Sequence, residues 1–239
     1  MSRAVRAIVL DWAIPVVLLV VLTIPFFRSD IDMRIARHFY VPGRGWPVGG
    51  ETLWLGLKHY GVIPAWVMAI SALGIVVASF FRLRPRPWRR GAAFIVLVMM
   101  LGPGLLVNTV FKEHWGRPRP KDMVEFSGTR EYVAPLVKSP SEWGGSFPSG
   151  HAATAFYLLT PYFLLRRRFR ARGVVVLATG IAYGCLMGYA RIAQGAHFLS
   201  DILWALGIVY LTGLGIFYGM GFERDRERAD SMAQKSRIA

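Results

Sequence analysis

Residues 144–151 read GGSFPSGH and lead directly into the apolar run AATAFYLLTPYFLL at 152–165. Ser149 followed by Gly150 is typical of a helix start, because a serine side chain can cap the free backbone N–H groups there. His151 would then stand in the first turn of a helix with the composition of a membrane segment. A titratable side chain at the mouth of such a helix indicates a chemical task, and the rest of the sequence has to supply its partners.

The composition indicates a membrane protein. Of the 239 residues, 54% are hydrophobic, which exceeds the roughly 45–50% usual for soluble proteins. The formal net charge is +15, but the basic residues are not interleaved with aromatic ones along a surface, so no nucleic-acid partner is expected. Arginines instead concentrate in RLRPRPWRR (82–90) and RRRFRAR (166–172), between apolar segments. This pattern is typical of cytoplasmic loops.

Six stretches approach the roughly 20 apolar residues that cross a membrane. We predict spans at about 8–27, 62–81, 91–111, 148–165, 173–190 and 198–222. With the arginine-rich loops inside, segments 28–61, 112–147 and 191–197 lie outside and both termini are cytoplasmic.

The predicted fold is therefore all-α, an integral bundle of six transmembrane helices with short periplasmic helices and loops. This membrane domain covers residues 1–222, and residues 223–239 form a charged cytoplasmic tail. Within the first outer segment, SDIDMRIARHFY (29–40) predicts a short helix at the membrane surface. The predicted location is the inner membrane, with multiple spans.

Three groups of polar residues fall on the outer face in this topology. They are Lys112 and Arg119 in KEHWGRPRP, the helix start PSGH at 148–151, and Arg191, His197 and Asp201 in RIAQGAHFLSD. Each group alone has a structural explanation, as interface anchors or as a helix cap. Together on one face they suit a single reaction.

The cations suit an anion with several oxygens, and the planar fork of arginine suits phosphate in particular. A serine and a glycine at a helix start add backbone N–H groups and the positive end of the helix dipole. The predicted phosphate-binding residues are Lys112, Arg119, Ser149, Gly150 and Arg191.

The histidines suit cleavage of a phosphate ester. His197 and Asp201 are four residues apart and would share one helix face, so the carboxylate can accept a hydrogen bond from one ring N–H and leave the other nitrogen free to attack. His151, on another helix, is available to protonate a leaving oxygen. The predicted catalytic residues are His197, His151 and Asp201.

The series Lys-x6-Arg-Pro, Pro-Ser-Gly-His and Arg-x5-His-x3-Asp resembles the three-part signature of the type 2 phosphatidic acid phosphatase superfamily, over the motif region 112–201. The resemblance implies that His197 forms a phosphohistidine with Asp201 supporting it, that His151 is the general acid, and that the five residues above hold the phosphate. One departure is Ala190, which stands where the family usually has serine.

No metal and no other cofactor is expected, because three fixed cations can stabilise the phosphate charge and the outer acids show no ligand-like grouping. These acids are Glu113, Asp122, Glu125, Glu131 and Glu142. The sequence assigns no role to three further polar residues: Asp11 in the first span, Asn108 one turn before Lys112, and His114 inside the first motif.

The predicted function is hydrolysis of a phosphomonoester or pyrophosphate of an envelope lipid. Lipid A, undecaprenyl pyrophosphate, phosphatidylglycerol phosphate and phosphatidate all remain candidates, and the sequence leaves the oligomeric state open. A phosphotransferase using the same intermediate is an alternative. An anion transporter is less well supported, because its charges should lie near mid-membrane. A haloperoxidase is disfavoured because those enzymes are soluble.

Overall fold

The computed structural model describes residues 3–81, 86–139 and 144–223, and these residues form helices and loops with no strand. The helices are α1 (Arg3–Thr23), α2 (Pro25–Arg28), α3 (Ile31–Phe39), α4 (Thr52–Tyr60), α5 (Ile63–Phe80), α6 (Arg86–Met99), α7 (Lys112–Trp115), α8 (Gly150–Phe156), α9 (Pro161–Leu165), α10 (Arg170–Ala193) and α11 (Leu199–Gly219). A π-helical segment, Met100–Phe111, joins α6 to α7. Short 3₁₀ turns occupy Val48–Gly50, Pro120–Asp122, Val124–Phe126 and Tyr157–Leu159. Apart from Glu223, the predicted tail lies outside the described residues.

Five helical stretches in the described ranges are long and apolar enough to cross a membrane. They are Ile8–Arg28, Thr52–Phe80, Trp88–Asp122, Arg170–Ala193 and Leu199–Gly219. The prediction of an all-helical, multi-pass membrane protein is therefore confirmed. The predicted count of six is not confirmed, because the segment predicted at 148–165 is divided into α8, a 3₁₀ turn and α9.

This divided segment forms the centre of the bundle. From residue 150 to residue 165 it extends only about 24 Å at the helical rise of 1.5 Å per residue, which is less than the roughly 30 Å of a hydrocarbon core. Phe156 and Tyr157 are almost fully buried. Helix α10 approaches closely at two glycines, where a Cβ atom on Gly184 would lie 2.0 Å from the Phe156 ring and one on Gly180 would lie 2.6 Å from the Leu159 backbone.

Asp11, whose role the sequence left open, ties three helices together at one end of the bundle. Its Oδ2 accepts a hydrogen bond from the Tyr218 hydroxyl at 2.6 Å and lies 2.7 Å from Nη2 of Arg166. Arg167 is 3.6 Å away and also pairs with Glu223 at 3.1 Å. A carboxylate in a membrane segment is costly unless it is paired, so these contacts give Asp11 a structural role.

The arginine-rich loops and the three motifs lie at opposite ends of the bundle. Helix α11 has 21 residues, about 30 Å at 1.5 Å per residue. Its first turn carries Asp201, whereas Tyr218 near its end contacts the Asp11 cluster. Arg90 from the first arginine-rich loop donates to the carbonyl of Met220 at that same end. The structure thus has the two-ended arrangement that the predicted topology requires, although residues 82–85 lie outside the described part.

Candidate active site

The start of α8 is built as the PSGH sequence predicts. Ser149 is the N-cap residue, and its Oγ accepts a hydrogen bond from the backbone N–H of Ala152 at 3.4 Å. Gly150 packs against Asn108, since a Cβ atom at position 150 would lie 2.4 Å from Asn108 Oδ1. Asn108 in turn donates to the carbonyl of Pro103 at 2.7 Å. A side chain larger than hydrogen at position 150 would therefore displace the Asn108 side chain from the carbonyl of Pro103.

The predicted cations come together beside this helix start. A Cβ atom on Gly145 would lie 3.5 Å from Arg119 Nη2 and 3.6 Å from Lys112 Cε. Arg119 is close enough to both Lys112 and Arg191 to repel them electrostatically. The Nε groups of Arg119 and Arg191 are buried without a hydrogen-bond partner among the described residues. Because an unpaired buried donor costs about 1–3 kcal/mol, such a cluster suits an oxyanion that accepts these hydrogen bonds.

His151 faces the same cluster from the first turn of α8. It lies within electrostatic range of Arg191, His197, Lys112 and Lys58. Lys58 belongs to α4 and to none of the three motifs, so sequence reasoning did not select it. The only signal for it was a lysine in the last turn of an outer helix, which is common at membrane interfaces.

His197 is held mainly by a backbone carbonyl. Its Nδ1 lies 2.7 Å from the carbonyl oxygen of Ser146 and 3.6 Å from Asp201 Oδ2. Because a carbonyl only accepts hydrogen bonds, Nδ1 carries the proton and Nε2 keeps its lone pair.

The contact between His197 and Asp201 differs from the predicted stacking on one helix face. Helix α11 begins at Leu199 with Phe198 as its N-cap, so His197 precedes the helix and the i, i+4 geometry does not apply to it. The carboxylate remains next to the ring but beyond hydrogen-bond length.

The environment of His197 favours the neutral imidazole. Its side chain is buried, with 3% of the residue exposed. Burial lowers the pKa of His197 below its ordinary value, and the neighbouring Asp201 carboxylate opposes this shift. A neutral ring with a free Nε2 lone pair is the form that can attack phosphorus.

Asp201 is fixed by donors that the sequence analysis did not identify. Its Oδ2 accepts hydrogen bonds from Ser146 Oγ at 2.6 Å and from the backbone N–H of Phe198 at 2.8 Å. Its Oδ1 is paired with Arg117, which is fully buried. Arg117 stands in the first motif, two residues before Arg119. The sequence therefore shows its position, but not that its side chain turns toward Asp201.

No metal centre is formed by the described residues, where no group of three or more His, Cys, Asp or Glu side chains is placed to hold an ion. Glu142 lies outside the described part of the chain. His114, whose role was open, is exposed, and its Nδ1 lies 2.8 Å from the carbonyl of Val110. His114 therefore belongs to the surface of the first motif.

Comparison with known proteins agrees with this geometry, which is that of an integral membrane phosphatase. The PAP2 superfamily model matches residues 92–225, a range that contains all three motifs. The chain is 30% identical over 189 residues to a lipid A 4'-phosphatase of Francisella tularensis subsp. novicida, covering 77% of this chain and 83% of the relative. It is 35% identical over 198 residues to a lipid A 4'-phosphatase of Rhizobium etli, covering 79% and 74%.

A solved structure shows the same fold. It is the crystal structure of a transmembrane PAP2-type phosphatidylglycerolphosphate phosphatase from Bacillus subtilis, with a TM-score of 0.51, 22% identity, and coverage of 88% of this chain and 96% of that one. The chain belongs to the PAP2 superfamily, as its three motifs predicted. The prediction of a membrane lipid phosphatase is confirmed at the level of this family.

Proposed function

We propose that this protein hydrolyses a lipid phosphate through a phosphohistidine on His197. The observation that carries the proposal is the 2.7 Å hydrogen bond from His197 Nδ1–H to the Ser146 carbonyl. It leaves Nε2 unprotonated beside a cluster of cations whose buried N–H groups suit phosphate oxygens.

The reaction has two steps. In the first, His197 Nε2 attacks phosphorus and the bond to the leaving oxygen breaks, with His151 supplying the proton that this oxygen needs. Lys112, Arg119 and Arg191 stabilise the charge on the transferring phosphoryl group. In the second step His151 takes a proton from water and the water oxygen attacks phosphorus. The bond from phosphorus to His197 Nε2 then breaks, which releases inorganic phosphate and restores the neutral His197 ring.

The proposed substrate is an anionic envelope lipid, with the phosphate of lipid A first among the candidates. Two relatives named lipid A 4'-phosphatase cover more than three quarters of this chain, and a phosphatidylglycerophosphatase B of Bacillus subtilis is 29% identical over 179 residues. The site lies at the ends of helices that can span a membrane, where the phosphate of a lipid already rests. The acyl chains can stay in the bilayer during the reaction.

Long-chain lipid phosphates should be much better substrates than soluble esters, because binding of the chains helps to orient the reacting end. Purified protein in mixed micelles should show kcat/KM at least about 100-fold higher for lipid A or phosphatidylglycerol phosphate than for glycerol phosphate or p-nitrophenyl phosphate. Phosphate release is the measurement. Equal efficiency for the soluble esters and every lipid would contradict a lipid substrate.

The proposed active site faces the periplasm and both termini are cytoplasmic, because the arginine-rich loops are at the opposite end of the bundle. An alkaline phosphatase fused after residue 130 should therefore be active in cells, whereas one fused after residue 86 should be inactive. A cytoplasmic reporter at the same two positions should give the reverse pattern. Activity at 86 and not at 130 would place the site inside and exclude an outer-leaflet substrate.

A further inference from the structure

A buried ion pair lies directly behind the catalytic centre. Asp32, in the first turn of α3, is 1% exposed, and Arg117 is fully buried. Arg117 Nη2 donates to Asp32 Oδ2 at 2.9 Å, while its Nη1 pairs with Asp201 and its Nε donates to the carbonyl of Val133 at 2.8 Å. One guanidinium therefore joins a carboxylate from α3 to the carboxylate next to His197.

Asp32 also satisfies the first turn of α11 from outside that helix. Its Oδ1 accepts a hydrogen bond from the backbone N–H of Ser200 at 3.0 Å, and its Oδ2 accepts one from the Ser200 hydroxyl. That hydroxyl also accepts from Arg117 Nη1 at 2.8 Å. The first N–H groups of a helix have no partner within the helix. The turn that directly follows His197 is thus fixed by two carboxylates, Asp32 and Asp201.

The charges of this network have an electrostatic consequence for His197. Two carboxylates share one guanidinium, so the group carries one net negative charge next to a ring that becomes positive when it is phosphorylated or protonated. Without the charge of Asp32, Arg117 would be left to neutralise Asp201 alone. Among the residues that the structure describes, the other charged or titratable groups that face His197 are Arg191 on α10 and His151 on α8.

We propose that Asp32 is a positioning residue of the lipid phosphatase reaction, an inference that rests on the proposed function. It holds the first turn of α11 in place and balances Arg117, so that the negative charge of Asp201 acts on His197. Asp32 lies in none of the three motifs, about 80 residues before the first of them.

The test is Asp32→Asn in the full-length protein, which keeps the shape of the side chain and removes its charge. Activity is measured in mixed micelles with lipid A or dioleoyl phosphatidate, whichever the wild type hydrolyses faster. We expect kcat to fall about 10- to 100-fold, as expected from loss of hydrogen bonds to a charged group, with KM changed by less than about twofold. The acid limb of the pH profile should move to lower pH, because loss of a nearby negative charge makes the His197 ring less basic.

The matched control is Asp30→Asn, two residues earlier. Asp30 is exposed and pairs with Arg34 and Arg37, neither of which belongs to a motif, so loss of its charge should leave kcat and the pH profile unchanged. Wild-type kcat in Asp32→Asn would overturn the inference. So would a loss of activity with no shift of the acid limb, because a purely structural role predicts that result.

Two further measurements keep the inference testable. If Asp32→Asn does not fold, Ser200→Ala removes the hydroxyl that bridges Asp32 and Arg117. This variant should lower kcat about fivefold, the effect of roughly one hydrogen bond. Wild-type kcat in Ser200→Ala would contradict the inference.

If the wild type hydrolyses no lipid phosphate, the proposed function fails, but NMR titration of labelled histidine still tests the network. The pKa of His197 should be lower in Asp32→Asn than in the wild type, and an unchanged pKa would overturn the inference.

Discussion

Replacing His197 with alanine should lower kcat by at least about 10⁴-fold, as expected when a nucleophile is removed. The variant should also form no phosphoenzyme, because the Nε2 lone pair that attacks phosphorus is gone. Phosphate release from lipid A in mixed micelles measures the first effect. The second effect is measured by comparing the amounts of acid-stable and acid-labile phosphoprotein after a rapid quench. Phosphohistidine belongs to the acid-labile fraction, because it is lost in acid.

Two other histidines separate the roles within this prediction. His151→Ala should also lose turnover, but it should still form phosphoenzyme from p-nitrophenyl phosphate, whose leaving group needs no proton. His114→Ala is the matched control, because His114 is exposed and bonds only to the carbonyl of Val110 among the described residues. It should retain essentially full activity. A His197→Ala protein with wild-type turnover would exclude the phosphohistidine mechanism.

The motif residues could be predicted from sequence because each motif is local and its spacing is diagnostic. Lys112 and Arg119 share the first motif, Ser149 and His151 share one helix start, and the predicted topology placed both groups at one membrane face. The structure brings these residues near one another. Their individual roles in phosphate binding and catalysis remain predictions that the proposed experiments test.

The network behind the site could not be predicted, because it depends on burial and not on spacing. Arg117 and Arg119 are two residues apart in the same loop, yet Arg117 turns inward to Asp32 and Asp201 while Arg119 lies beside Lys112. Nothing in the residues KEHWGRPRP says which guanidinium faces the carboxylates. Asp32 was placed in a surface helix on its amphipathic pattern, and that pattern does not reveal a partner far along the chain.

The predicted count of six spans is not confirmed, for a related reason. Apolar composition alone does not separate a helix that faces lipid from one buried in protein. Residues 150–165 are apolar because α10 and α11 pack around them, as the close contacts of Gly180 and Gly184 show. Their short length was the only sequence signal against a full span.

The second large effect is expected on stability. Arg117→Met should lower the free energy of unfolding by about 3–5 kcal/mol, because it leaves the buried carboxylates of Asp32 and Asp201 without their shared cation. Methionine has a similar length and adds no charge, so the loss is mainly electrostatic. Arg117 also donates to the carbonyl of Val133 and packs over the Phe198 ring at 4.5 Å, and these contacts would weaken as well.

The free energy of unfolding can be measured in detergent micelles by denaturant titration or by thermal melting. Arg34→Met is the matched control: Arg34 is 64% exposed and pairs with the exposed Asp30, and such surface pairs contribute about 0–1 kcal/mol. The double variant Arg117→Met with Asp32→Asn should regain part of the lost stability, since it removes one of the two uncompensated charges. If Arg117→Met unfolded like the wild type, the two carboxylates would have to be neutral or hydrated in the folded protein, and the charge balance behind His197 would be different from the one described.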